Sequence, residues 1–181
     1  MKIQNTTTTY GTFSKTLHWS LAILIFAMIG SGLYMVDMPR TPERIPFYLY
    51  HKSTGVVVLA LVTLRLLWRW RTIAPKLPSD MPRWQKASAH LTHTLLYVLM
   101  FVAPISGMMM SLLGGHDIAF YGWFTIPALT KGSWAAQFGH TVHVQLIYLW
   151  VLLLGLHISA ALYHHFVCRD DILKRMLFGS R

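Results

Sequence analysis

The 181-residue chain has a single cysteine, Cys168, so it can build no internal disulfide framework, CxxC zinc site or CxxCH covalent haem attachment. Charge is scarce as well: charged residues make up 12% of the chain, where soluble domains carry about a quarter. An apolar content of 54% excludes a disordered chain and sits badly with one that wraps nucleic acid. What the sequence does have is long apolar runs, ten histidines and a formal net charge of +10.

Four apolar stretches, roughly residues 17–36, 47–68, 91–113 and 142–167, each reach the about 20 residues that carry a helix across a bilayer. The fourth has no charged residue between Val144 and Phe166. Runs this continuous exclude barrel strands, which alternate in polarity, and backbone pairing inside lipid leaves helices as the remaining solution. The expected fold is all-α, a transmembrane four-helix bundle forming one membrane domain over residues 1–181. Lys52 and Arg65, near the ends of the second run, are expected to snorkel to the interface. The first run is read as a retained span: its polar leader is long and a clean small-residue cleavage site is lacking. Residues 37–46, 72–90 and 114–141 are expected as linkers, the last carrying Trp123 and Trp134 as interfacial aromatics. Thr6–Thr9 reads as a frayed tail.

The basic residues sort by side. Twelve of the sixteen Lys and Arg residues fall on the side of the termini and the 72–90 connection, and Arg40, Arg44, Lys52 and Lys131 fall on the other. The positive-inside rule makes both termini cytoplasmic. The basic balance is then mostly topology and argues for no nucleic-acid partner.

An ionisable side chain within a span points to function. Because chain direction alternates, His18 and His157 fall toward the inner half of the membrane, and His51 and His143 toward the outer half. Along the fourth helix, the fourteen residues from His143 to His157 rise about 21 Å and return within about 40° of the same face. One helix can therefore offer imidazoles to two centres, with the first and second helices each supplying an opposing ring. Neutral imidazole suits iron, and two axial nitrogens saturate a haem iron, leaving an electron carrier with no open position. Gly55 and Gly155 would leave room beside a flat macrocycle. The competing reading is hydrogen bonding between helices. A His-rich metal transporter is disfavoured because no Asp or Glu lies in any span. Met108, Met109 and Met110 point around the helix and read as packing or lipid-facing residues. His164, two turns beyond His157 on nearly the same face, remains an alternative inner ligand by periodicity. His140 is a poorer choice than His143, His90 and His93 begin the third span, and His116 and His165 read as loop or interface residues.

The segments SKTLHW, YHKSTGVVVLALVTLRLLWR, HTLLYVLMFVAPISGMMM and GHTVHVQLIYLWVLLLGLHISAALYHHF, in this order, resemble the bacterial cytochrome b561 family, small di-haem cytochromes of the inner membrane. The resemblance implies a multi-pass inner-membrane protein with two non-covalent b haems, axially held by His18, His51, His143 and His157. It favours His157 over His164, since the ligand occupies the GLH position ahead of the HH pair. One branch of the family resembles a superoxide oxidase, in which superoxide on the periplasmic side reduces ubiquinone on the cytoplasmic side. In that branch Thr16 and His164 align with quinone contacts, although the family hydroxyl at Thr16 is a serine. Lys52, next to His51, is placed to steer an anion, but Asp37, Glu43 and Asp117 on the same side leave that face near +1, so steering requires the fold to cluster the cations. The same resemblance admits a membrane anchor that passes electrons for a partner dehydrogenase, and a quinol-oxidising cytochrome b.

Overall fold

The computed structural model describes residues 3–79 and 81–177. Four long helices, α1 (Thr12–Asp37), α2 (Arg44–Arg71), α3 (Arg83–Leu112) and α4 (Trp134–Tyr163), are each long and apolar enough to cross a membrane. A two-stranded hairpin, β1 (Ile118–Phe120) and β2 (Phe124–Ile126), lies between α3 and α4. A π-helical turn, His164–Cys168, and a short α5, Ile172–Met176, follow α4. The helices outrun the apolar stretches that announce them. Arg83–His90 and Trp134–Thr141, expected as linker, extend α3 and α4. Good helix formers such as Gln85, Lys86 and Ala87 continue a turn that apolarity alone does not mark.

The bundle has a terminal end, where the start of α1 meets the segment that ends at Leu177, and a hairpin end. At the terminal end the Lys15 ammonium donates to the Leu177 carbonyl at 2.6 Å and the Trp19 indole N–H to that of Met176 at 3.0 Å. The threonine run is a docked turn there, contrary to the frayed tail expected. Asn5 Oδ1 accepts from Gly11 N–H and Ser14 Oγ, Asn5 Nδ2 donates to Thr72 Oγ1, and Lys76 N–H donates to the Thr7 carbonyl. Thr72 and Lys76 lie sixty or more residues from their partners, so local composition could not reveal the docking. At the hairpin end, Ser53, fully buried on α2, donates to the Ala119 carbonyl and accepts from Tyr121 N–H at 2.9 Å, clamping the hairpin onto α2.

The core is a plug of Leu21, Ile25, Val58, Val62, Leu99, Trp150 and Leu153 with their neighbours. On α4 it is centred on Trp150, seven residues from each of His143 and His157. Large apolar side chains such as Ile23, Phe26, Val151 and Leu156 point outward, as lipid-facing residues do. α1 packs on α2, α2 on α3 and α3 on α4, but neither α1 nor α2 packs its backbone closely along α4. α3 and α4 meet closely at Gly139, where a Cβ would stand 2.9 Å from the Ser106 carbonyl oxygen. Such close approach of small residues is how helices associate in lipid. α4 is thereby held to one side, and histidines face each other across the gap.

Candidate functional site

Two imidazole pairs bridge that gap at two levels. His51 of α2 and His143 of α4 have ring centroids 6.2 Å apart with planes at 87°. His18 of α1 and His157 of α4 have centroids 6.3 Å apart with planes at 60°. Metal–imidazole bonds are about 2.0–2.1 Å. With each ring centre roughly 1 Å behind its bonding nitrogen, two rings sharing one ion stand about 6 Å apart. Each pair therefore has the spacing of two axial ligands, and rings on a common axis are free to take any mutual rotation.

The hairpin-end pair carries the hydrogen bonds such ligands need. A metal-bound imidazole donates its other ring N–H to an acceptor that fixes tautomer and orientation. His143 Nδ1 lies 2.7 Å from the Ala103 carbonyl, which can only accept, so the proton is on Nδ1 and the Nε2 lone pair is free. His51 Nδ1 lies 2.9 Å from Ser31 Oγ, whose own proton goes to the Met28 carbonyl; Ser31 therefore accepts from His51. The Ala103 carbonyl, inside α3, also accepts from Ser106 Oγ at 2.9 Å. One turn later Gly107 lets the His143 ring lie against the helix, because a Cβ there would stand 2.9 Å from Cε1 and 3.1 Å from Nδ1. Gly107→Val should push the ring off its acceptor and remove the group held at this end while sparing the other; a full complement in this variant, measured by cofactor content per chain, would show that the contact is not needed.

A cavity of about 1300 Å³ opens beside this pair. Gly32, Gly55, Gly107 and Trp150 line it together with the two rings, and Arg40, Arg44 and Lys52 reach its edge. The Arg44 guanidinium donates to the Met35 carbonyl at 3.2 Å and to the Tyr48 hydroxyl, while its buried Nε has no partner. Lys52 is half-buried, with Nζ 3.4 Å from the Asp117 carbonyl oxygen. The cavity and the 6.2 Å ring spacing leave room for a flat group between His51 and His143.

The terminal-end pair is arranged differently. Arg65, expected to snorkel, turns inward: its Nη2 lies 2.9 Å from His18 Nδ1 and its guanidinium sits 5.8 Å from the Tyr97 ring centre. A guanidinium only donates, so here it takes the Nδ1 lone pair of His18 and leaves the ring proton on Nε2. Ligation through Nε2 requires Arg65 to turn off Nδ1, so this pair matches in spacing but needs one side chain to move. His93 of α3, with its ring centre 5.4 Å from that of His157, is a third imidazole at this level. Sequence reasoning placed His93 at the start of a span without joining it to the pair. Its depth, the same as that of His18 and His157, is the signal that could have found it. A Cβ at Gly155 would meet nothing within 4 Å, so this position too leaves space.

His164, the alternative inner ligand by periodicity, is held by a carboxylate. Its Nδ1 lies 2.5 Å from Asp170 Oδ2, beyond the end of α4. Thr16 is exposed on α1, between Lys15 and Trp19, whose side chains hold the C-terminal segment. His164 and Thr16 therefore share the terminal end of the bundle. His140 and His116 line the hairpin-end cavity without joining a ring pair among the described residues.

Comparison with known proteins bears on the whole chain. A family model described as prokaryotic cytochrome b561 matches residues 9–179. The chain is 37% identical to cytochrome b561 homolog 2 of Escherichia coli (strain K12), over 99% of this chain and 97% of that protein. It is 28% identical to cytochrome b561 homolog 1 of the same organism, over 91% of this chain and 96% of that protein. It is 26% identical to the probable superoxide oxidase CybB of Yersinia pestis, over 95% of this chain and 97% of that protein.

Proposed function

Since the chain belongs to the prokaryotic cytochrome b561 family, whose members bind haem b and transfer electrons in the membrane, we propose that it conducts electrons from a periplasmic donor, for which superoxide is favoured, to ubiquinone on the cytoplasmic side of the bacterial inner membrane. In this reading the terminal end is cytoplasmic, which the distribution of Lys and Arg supports, and residues 1–181 act as one domain. His51 and His143 hold one b haem at the periplasmic level, and His18 and His157 hold a second at the cytoplasmic level. The observation that carries the reading is the pair of facing imidazoles at each of two levels, each with the separation of two axial ligands. Haem, when bound there, would supply reversible one-electron redox chemistry.

The chain's own residues do the rest. Ser31 and the Ala103 carbonyl hold His51 and His143 in the tautomer that presents Nε2. The core around Trp150 and Leu153 excludes water between the levels. Lys52, Arg40 and Arg44 line the cavity together with Asp117; three cations against one carboxylate let a face of small net charge concentrate an anion there. Lys52→Glu should slow reaction with an anionic donor by about tenfold at low salt, with the deficit shrinking as salt screens the field. An unchanged rate, or a deficit that ignores ionic strength, would remove Lys52 from that role.

At the cytoplasmic end His164, as an imidazolium with its Nδ1–H on Asp170, donates its Nε2–H and then that proton to a quinone carbonyl oxygen as charge arrives, and is reprotonated from solvent. Asp170 fixes the ring through Nδ1 and leaves Nε2 to face the quinone, and Thr16 offers a hydroxyl at the same end. Reduction of one ubiquinone consumes two electrons and two protons, hence two superoxide anions, each leaving as dioxygen. The test is superoxide-dependent quinone reduction by the isolated chain. Turnover without any other protein supports the reading. Strict dependence on a partner dehydrogenase would replace it with an electron-passing membrane anchor, and haem reduction by quinol that nothing on the periplasmic side reverses would replace it with quinol oxidation.

A further inference from the structure

We propose that His164, Cys168 and Asp170 form a binding site for a borderline-soft divalent cation of the zinc class, at the terminal end of the bundle and separate from the two imidazole pairs. One ligand atom from each residue, an imidazole nitrogen, a thiol sulfur and a carboxylate oxygen, lies within 4.8 Å of the other two. In a tetrahedral zinc site, with Zn–S near 2.3 Å and Zn–N and Zn–O near 2.0 Å, neighbouring donors are roughly 3–4 Å apart. Small side-chain rotations open the 2.5 Å contact between His164 Nδ1 and Asp170 Oδ2 and draw the sulfur in.

The backbone brings the three together. α4 widens into the π-helical turn His164–Cys168, a local form that recurs at functional positions. Arg169 then takes a left-handed conformation, φ 55°, and turns the chain back on itself. Asp170 N–H donates to the His164 carbonyl at 3.2 Å. Asp170 Oδ1 accepts from Ile172 N–H at 3.1 Å, which leaves Oδ2 aimed at the His164 ring. His164 and Asp170 side chains are only 13% and 20% exposed, whereas Cys168 is exposed and gives an entry path.

The donor set decides the cation. A thiolate with an imidazole and a single carboxylate selects zinc over magnesium or calcium, which require several oxygens. Three protein donors leave a fourth position for water. Binding through Nδ1 releases the Cys168 thiol proton to solvent and moves the imidazole proton from Nδ1 to Nε2. The site stands on this geometry alone. Joined to the quinone reading, it adds that zinc on Nδ1 takes the place of the Asp170 contact, keeps the ring from becoming an imidazolium and so inhibits quinone reduction.

The test uses the full-length, haem-loaded protein in detergent and zinc itself, with equilibrium dialysis and zinc K-edge X-ray absorption. One zinc per chain with one sulfur neighbour at about 2.3 Å is expected. Cys168→Ser should keep its haem spectrum, lose the sulfur neighbour and weaken binding by about tenfold or more, and Asp170→Asn should weaken it similarly. A shell of nitrogen and oxygen only in the unmodified protein, or affinity unchanged by Cys168→Ser, would assign the zinc to other histidines and overturn the proposal. The sulfur neighbour is read without turnover, so it stands or falls independently of the quinone reading.

Discussion

Replacing His143 by alanine should remove about one of two haem equivalents per chain, and replacing His157 should remove the other, with the double variant left colourless. The effect is large because each ring is half of a two-point hold. His143 faces His51 at 6.2 Å and His157 faces His18 at 6.3 Å, each across the gap where α4 stands away from α1 and α2. An alanine leaves an iron with one protein ligand in a space built for two. The hairpin-end loss should be clean, since Ser31 and the Ala103 carbonyl serve only their own pair. At the terminal end, His93 stands 5.4 Å from His157. A residual, spectrally altered haem in the His157 variant would identify His93 as a substitute ligand. Two unaltered haems in either single variant would contradict the ligand assignment.

The second large effect is expected at His164. His164→Ala should keep both haems and slow quinone reduction by about a hundredfold, the lower range for loss of a positioned general acid. Asp170→Asn should produce a milder form of the same defect, because the amide still reaches the ring but no longer fixes its proton on Nδ1. Haem loss in the His164 variant would make it the inner ligand instead, and an undiminished rate with both haems present would detach His164 from the quinone. Donor-driven reduction of the haems, followed separately, distinguishes a blocked exit from a blocked entry.

The four spans were legible because lipid demands uninterrupted apolar runs, and the two levels of histidine because antiparallel helices alternate in direction. The fourteen-residue interval on α4 added the common face. Rotation about the remaining helix axes was not legible. Arg65 has the sequence look of a snorkelling residue, yet its guanidinium reaches His18 because α2 turns that face inward. His93 joins the inner pair for the same kind of reason on α3. The three-residue strands of the hairpin are too short to show a period, and Ser53, which clamps them, is one hydroxyl in an otherwise ordinary helix. Asp170 was not visible as a partner of His164, because only the π-helical turn and the left-handed Arg169 fold it back.

The ring pairs carry the whole account, and haem quantified per chain with a reduced-minus-oxidised spectrum tests them most directly. Two b-type haems per polypeptide are expected in protein expressed with ample iron and porphyrin. A colourless protein, or one holding a single haem at saturation, would contradict the two-level arrangement.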